Sequence, residues 1–192
     1  MLIIELVIGM GFTVNDLGRV LRVFVDKNVK FVVIGDTVVQ LALKKDVLEG
    51  DVDLFVLEPS VFVNEDFYVD IANSNGWGYA TTELGTPRII ARVGDKDIVV
   101  ELYENFMDID IPLSILEKSR TITVSSVKIR ILFPEQYFVL KARQGVDLDK
   151  IGRYVKQLKR IDHRLLRETI EQYPREEQEL IIERLESIGL KI

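Results

Sequence analysis

The sequence contains no cysteine and a single histidine, His163. The absence of cysteine excludes disulfides and thiolate metal sites, and one histidine cannot build a histidine-based zinc site or a relay of several histidines. His163 lies in a charged segment with helical periodicity, where we expect a lone histidine to be exposed. Cysteine chemistry and histidine-held zinc are therefore excluded.

Positive charge is also scarce. The chain has 25 lysines and arginines against 31 acidic residues, a formal net charge of −6, which argues against a broad electrostatic footprint for duplex DNA. The densest basic cluster lies among acidic and apolar residues, which favours a solvated helix face over a nucleic-acid patch. It comprises Lys156, Lys159, Arg160, Arg164 and Arg167.

Long hydrophobic runs are missing as well. The apolar opening, residues 1–12, contains Glu5, lacks a basic leader and a small-residue cleavage site, and is too short to span a bilayer. We expect a cytoplasmic protein without a membrane partner. With 192 residues, 47% of them hydrophobic, the chain can bury a substantial core. We expect a core domain of residues 1–133 and a C-terminal helical segment, residues 134–192, packed on it.

A strand, a tight turn and a helix follow one another near residue 35. Residues 31–34 are a short, β-branched apolar run that stops at Gly35, and residues 37–43 have apolar side chains at helical spacing. A second strand is predicted for residues 52–57. The sequence therefore predicts a compact strand–helix–strand unit.

Asp51 and Asp53 lie at the start of this second strand. Because strand side chains repeat with a period of two, both carboxylates project from the same face. Their repulsion is relieved by a proton or by a hard, oxygen-seeking cation such as Mg²⁺. In the alternative interpretation, one carboxylate caps the turn and the other is solvated.

The remaining pattern predicts further helices and hairpins. The first helix is expected at residues 14–26, capped by Thr13 or Asn15. Other predicted elements are a helix at residues 61–73, strands at 88–93 and 98–103 joined by a hairpin turn, a hairpin of 121–124 with 127–132, and helices from Pro134 onward.

The spacing of Gly35-Asp36 and Asp51-Val52-Asp53-Leu54 resembles the signature of the nucleotidyltransferase superfamily, which has the DNA polymerase β-like fold. The resemblance covers residues 31–103. It implies an α/β (α+β) fold with a mixed central sheet flanked by helices. It also implies Mg²⁺ or Mn²⁺ as cofactor and an NTP as substrate, with metal ions held by Asp51, Asp53 and a third carboxylate from a neighbouring strand.

Glu101 occupies the third carboxylate position by this resemblance. In the superfamily, that carboxylate helps to hold the metal and accepts a proton from the incoming hydroxyl. In the alternative interpretation, Glu101 faces solvent on the alternate face of its strand.

The triphosphate cradle implied by the resemblance comprises Gly35, Asp36 and Thr37. Asp36 departs from the pattern, because the superfamily usually has a small Gly or Ser there. An acidic side chain would face an anionic ligand. The alternative is that Asp36 caps the following helix, since Asp is among the best N-cap residues.

The stretch from Phe133 to Ile151 resembles the abortive-infection toxin branch of the superfamily, on Pro134, Glu135, Lys141 and Asp147. A Lys that often precedes that Asp is Val146 here. Lys141 could reach a nucleotide phosphate as a point charge. The alternative is a surface lysine on an amphipathic helix.

Two functions follow as hypotheses. The first is a metal-dependent nucleotidyltransferase that moves a nucleoside monophosphate from an NTP to a hydroxyl of an unknown acceptor, which is a small molecule, a protein or an RNA end. The second is a catalytically inactive module with this fold that binds or regulates a partner, for example in a toxin–antitoxin pair. The second is favoured by Asp36 and by two missing basic residues: Val146 stands in place of a lysine, and the basic residue common between the glycine turn and Asp-x-Asp has only Lys44 and Lys45 as loose counterparts. Asp51, Asp53 and Glu101 together favour the first.

Overall fold

The computed structural model describes residues 11–82, 85–105 and 110–192, so most of the apolar opening lies outside the described residues. The strands are β1 (Phe12–Thr13), β2 (Lys30–Ile34), β3 (Val47–Leu48), β4 (Val52–Glu58), β5 (Gly78–Thr81), β6 (Pro87–Val93), β7 (Lys96–Tyr103), β8 (Arg120–Val124) and β9 (Val127–Ile131). The helices are α1 (Val14–Asp26), α2 (Asp36–Ala42), α3 (Glu65–Ser74), α4 (Leu113–Glu117), α5 (Pro134–Gln144), α6 (Leu148–Gln157), α7 (His163–Ile170) and α8 (Arg175–Ser187).

Seven of the described strands form one mixed sheet in the order β5-β6-β7-β4-β2-β9-β8. The central strand β4 pairs antiparallel with β2 and parallel with β7, and β2 pairs parallel with β9. Val33, Leu54 and Val100 on these inner strands are fully buried, as expected for a sheet covered by helices. The parallel register places Asp53 beside Glu101.

Helix α1 has the bounds that its periodicity predicts, and Thr13 is the cap. The Asp16 amide donates to Thr13 Oγ1 at 3.1 Å, and the Thr13 amide donates to Asp16 Oδ2 at 2.9 Å. This reciprocal capping box satisfies two backbone donors that the first helical turn would otherwise leave free. Lys96 Nζ also donates to Asp16 Oδ2, at 3.1 Å.

Helix α3 begins later than the periodicity predicts, at Glu65 instead of residue 61. The Glu104 carboxylate accepts hydrogen bonds from the Ser60 hydroxyl at 2.9 Å and from the Val61 amide at 3.0 Å. These contacts with a residue distant in sequence hold the segment in a turn, so the helix starts after it.

The C-terminal helices pack on the core, and α5 is the helix that contacts α2. Most of α5 is buried, and it packs against α2, α7 and α8. It ends at Gly145, whose left-handed φ of 72° turns the chain into α6. Tyr137, Lys141 and Lys150 are thereby brought close to Asp36 or Asp53. The domain division between residues 133 and 134 stays a prediction. Within the described ranges, no helix is long and apolar enough to cross a membrane.

Candidate active site

Gly35 is the N-cap of α2, with φ 72° and ψ −164°, a backbone conformation that is essentially restricted to glycine. A Cβ at this position would lie 2.7 Å from Asp53 Cγ and would overlap the nearer carboxylate oxygen. Only glycine lets the turn between β2 and α2 pass directly over Asp53. Asp36 is the first helical residue, and no side chain caps the helix. The interpretation of Asp36 as the N-cap is therefore wrong.

The three predicted carboxylates line one cavity of about 320 Å³. Asp51 is exposed just before β4, Asp53 is half-buried within it, and Glu101 is buried on β7. Burial, followed by the charge of Glu101, raises the pKa of Asp53 to about 7. The same two causes raise the pKa of Asp51, because its carboxyl group is partly shielded from water although the residue as a whole is exposed. The site therefore concentrates negative charge where water is partly excluded.

Glu101 is held by two neighbours. Arg88, its cross-strand partner on β6, donates to Oε1 through Nε at 3.1 Å and through Nη2, and the Tyr103 hydroxyl donates to Oε2. The residue is only 8% exposed, so the interpretation that it faces solvent is wrong. Within the described ranges, no group of three or more His, Cys, Asp or Glu side chains is gathered as a ready metal cluster.

The Asp36 carboxylate lies in the same cavity, and it is paired. The Tyr137 hydroxyl donates to Oδ1, and Lys150 Nζ forms an ion pair with Oδ2. Lys150 therefore compensates the charge that distinguishes this turn from its superfamily pattern. Sequence reasoning did not single out Lys150, because the pairing joins two helices that are distant in the chain.

Lys141 on α5 also faces this cavity, and it borders a second one. Its Nζ donates to Asp147 Oδ2 at 2.9 Å, and its side chain is 24% exposed. The charge of Lys141 opposes the rise in the pKa of Asp53. The positive charge of Lys141 thus lies at the cavities and not on an outer face of the helix.

Gly35 and Thr37 differ in their access to the site. Gly35 lines the second cavity together with Asp53. Thr37 is 1% exposed and lines neither cavity, and its hydroxyl has no hydrogen-bond partner among the described residues. Of the predicted cradle, Asp36 and Gly35 therefore border the cavities, whereas the Thr37 side chain does not.

The second cavity has a volume of about 750 Å³ and shares Asp53, Tyr103, Tyr137 and Lys141 with the first. Its volume lies in the usual range for small-molecule sites. Its wall combines apolar and aromatic side chains with charged ones. Additional lining residues are Ile111, Leu140, Tyr173, Asp110, Arg143 and Glu177.

The family described as "Nucleotidyl transferase of unknown function (DUF2204)" matches residues 13–187 of this chain. The chain belongs to this family. This match confirms the expected superfamily, the nucleotidyltransferases. No curated protein matches the chain by sequence.

One solved structure supports the fold. An antigenic nucleotidyltransferase-like protein from Paracoccidioides brasiliensis is similar with a TM-score of 0.57 at 12% identity, over 91% of this chain and 88% of that one. The mixed α/β fold predicted from the sequence is confirmed.

Two structures of the antibiotic-resistance factor ANT(2″)-Ia are also similar at 12% identity and over 91% of this chain. The solution structure has a TM-score of 0.48 and is covered over 91% of its length. The crystal structure, a complex with adenylyl-2″-tobramycin, has a TM-score of 0.47 and is covered over 97%.

Proposed function

We propose that this nucleotidyl transferase is a metal-dependent enzyme that moves a nucleoside monophosphate from an NTP to a hydroxyl group of an acceptor and releases pyrophosphate. The observation that carries the proposal is the close packing of Gly35 on Asp53, with Asp51, Glu101 and Lys141 around the same cavity. Membership of a nucleotidyl transferase family supports the same reaction class.

Asp51 and Asp53 fit a hard divalent ion such as Mg²⁺ or Mn²⁺. Their donors are carboxylate oxygens, and their pKa values are raised by burial and by the neighbouring charge of Glu101, a repulsion that a cation relieves. Such an ion, when bound, stabilises the negative charge that develops on the phosphate oxygens.

Glu101 adds a third carboxylate to the same cavity, although among the described residues the three side chains are not gathered as a ready metal cluster. An ionised carboxylate offers about four lone-pair sites; Arg88 takes Oε1, and the single Tyr103 contact leaves a lone pair on Oε2. Arg88 and Tyr103 thus fix the orientation of Glu101 and still leave an acceptor lone pair on Oε2. In this proposal Glu101 contributes to metal binding and receives the acceptor's proton at Oε2.

At the α-phosphorus the transfer breaks one bond and forms one, while the proton of the acceptor hydroxyl passes to Glu101. The acceptor oxygen attacks the α-phosphorus, the bond from that phosphorus to the oxygen bridging the β-phosphorus breaks, and pyrophosphate leaves with the electron pair. Lys141 binds phosphate as a point charge. The triphosphate lies against the turn at Gly35 and Asp36, which border the cavities, and Thr37 is buried behind this turn. The larger cavity, which shares Asp53 and Tyr103 with the smaller, receives the acceptor.

The proposal is tested by titrating Mn²⁺ into the protein calorimetrically, with and without each NTP. Wild type should bind Mn²⁺ more tightly when an NTP is present, and the Asp51→Asn/Asp53→Asn variant should lose this binding. The matched control is Asp70→Asn/Asp95→Asn, which removes the same charge from two exposed positions and should behave as wild type. Unchanged metal-dependent nucleotide binding in the Asp51→Asn/Asp53→Asn variant would place the site elsewhere.

A second candidate function is a binding module without transfer chemistry. It is favoured by the ion pairs Asp36–Lys150 and Arg88–Glu101, which compensate two cavity acids without a metal. A module would bind NTP and yield no transfer product under any metal, whereas the enzyme yields one.

A further inference from the structure

We propose that Lys150 binds the phosphates of the nucleotide, and that in the empty site Asp36 and Tyr137 hold it ready. The inference rests on the proposed function and adds to it a residue outside the superfamily signature described above. Lys150 belongs to α6 and lines the cavity that contains Asp51 and Asp53.

The charges around the cavity show why a second cation is needed. Five acids and two lysines line it: Asp36, Asp51, Asp53, Glu101, Asp147, Lys141 and Lys150. Each lysine is paired with an acid that is not one of the three central carboxylates, Lys141 with Asp147 and Lys150 with Asp36. A polyanionic ligand can be accommodated here only where cations are directed toward it.

Asp36 is held in place more firmly than Lys150, so Lys150 is the member of the ion pair that can move. Asp36 is 16% exposed, and its other oxygen accepts from the Tyr137 hydroxyl, which belongs to the buried helix α5. The Lys150 side chain is 42% exposed and flexible. The lysine can therefore turn from the carboxylate to a phosphate while Asp36 stays in place.

The surroundings of Lys150 favour such an exchange. Partial burial, followed by the charge of Arg153, lowers the pKa of Lys150. Its ammonium is thus incompletely solvated, and a phosphate oxygen offers it a further charged acceptor.

A purely structural role is the competing explanation, in which Lys150 only neutralises Asp36. The two explanations differ once Asp36 has lost its charge. If Lys150 contacts phosphate, removing its ammonium weakens binding even in an Asp36→Asn background. If Lys150 only neutralises Asp36, the same removal has no effect in that background.

The probe is inorganic tripolyphosphate with Mg²⁺, because it carries the phosphates without a base. Calorimetry at constant ionic strength should show Lys150→Met binding about 10- to 100-fold more weakly than wild type, the scale of one charged hydrogen bond. Lys150→Arg should recover part of the loss. Lys156→Met removes the same charge from an exposed position on the same helix and should bind as wild type.

The deciding comparison is Asp36→Asn against Asp36→Asn/Lys150→Met, because neither protein carries the Asp36 charge that Lys150 would neutralise. A loss of about tenfold or more in the double variant supports the proposal. Equal affinity of the two, or wild-type affinity of Lys150→Met, overturns it.

Failure of the proposed function has a different signature. A wild-type protein that binds neither Mg²⁺-tripolyphosphate nor any NTP overturns the proposed function, and this inference with it. A wild-type protein that binds the probe, with variants at Lys150 that bind equally well, overturns this inference alone.

Discussion

Replacing Gly35 by alanine should disrupt the candidate site more than it disrupts the rest of the fold. Gly35 has φ 72° and ψ −164°, and a side chain held in this region costs about 1–3 kcal/mol. The new Cβ would also overlap the Asp53 carboxylate, and a side chain forced off its rotamer costs about 0.5–1.5 kcal/mol more. Gly35→Ala should therefore lower the free energy of unfolding by about 1.5–4.5 kcal/mol.

Gly76→Ala is the matched control. Gly76 has a similar positive φ of 65°, and a Cβ there would meet no atom within 4 Å. Its expected cost is about 1–2 kcal/mol, from the backbone alone. The control should retain Mn²⁺-dependent NTP binding, whereas Gly35→Ala should lose it because Asp53 is displaced.

Urea unfolding measures the stability change, and calorimetry measures nucleotide binding. In an Asp53→Ala background, Gly35→Ala should cost less than in wild type, because the carboxylate that it overlaps is gone. Equal destabilisation by Gly35→Ala and Gly76→Ala, with nucleotide binding intact in both, would refute the role assigned to this glycine.

Two further predictions concern Glu101 and Asp16. Glu101→Gln should lower the transfer rate by about 10²- to 10⁴-fold, the scale of general-base catalysis. The melting temperature should change little, because Arg88 is partly exposed and water can solvate it. Wild-type turnover in this variant would leave Glu101 as a structural residue. Asp16→Ala should cost about 0.5–1.5 kcal/mol near neutral pH, because the Thr13 amide loses its acceptor in the capping box. Hydrogen bonding from the Thr13 amide lowers the pKa of Asp16 below its ordinary value, so its stabilisation is present above that ordinary value and is lost as the pH falls through the lowered pKa. Urea unfolding at several pH values should show the difference between wild type and Asp16→Ala shrinking in acid, and a pH-independent difference would contradict this account.

Local sequence patterns predict the elements that local interactions determine. The bounds of α1 follow from its apolar period and from Thr13, which has a partner three residues away. The strand that carries Asp53 and the turn at Gly35 follow equally from short-range patterns. The two-residue strands β1 and β3 are too short to produce a periodic signal.

Pairings between distant segments were not predictable from the sequence. Nothing local to Asp36 indicates that Lys150 compensates its charge, and nothing local to Glu101 indicates that Arg88 binds it. The start of α3 was missed for the same reason, because Glu104 holds the preceding turn from another part of the chain. Tertiary contacts of this kind override local propensity.

The central claim is that Asp51 and Asp53 support nucleotidyl transfer, and a labelled-transfer assay tests it most directly. Wild type and the Asp51→Asn/Asp53→Asn variant are incubated with each α-phosphate-labelled NTP, Mg²⁺ or Mn²⁺, and cell extract. Wild type should attach label to an acceptor and release pyrophosphate with at least one NTP, and the variant should do neither. Equal labelling by the variant, or NTP binding by wild type without transfer from any NTP, would contradict the account.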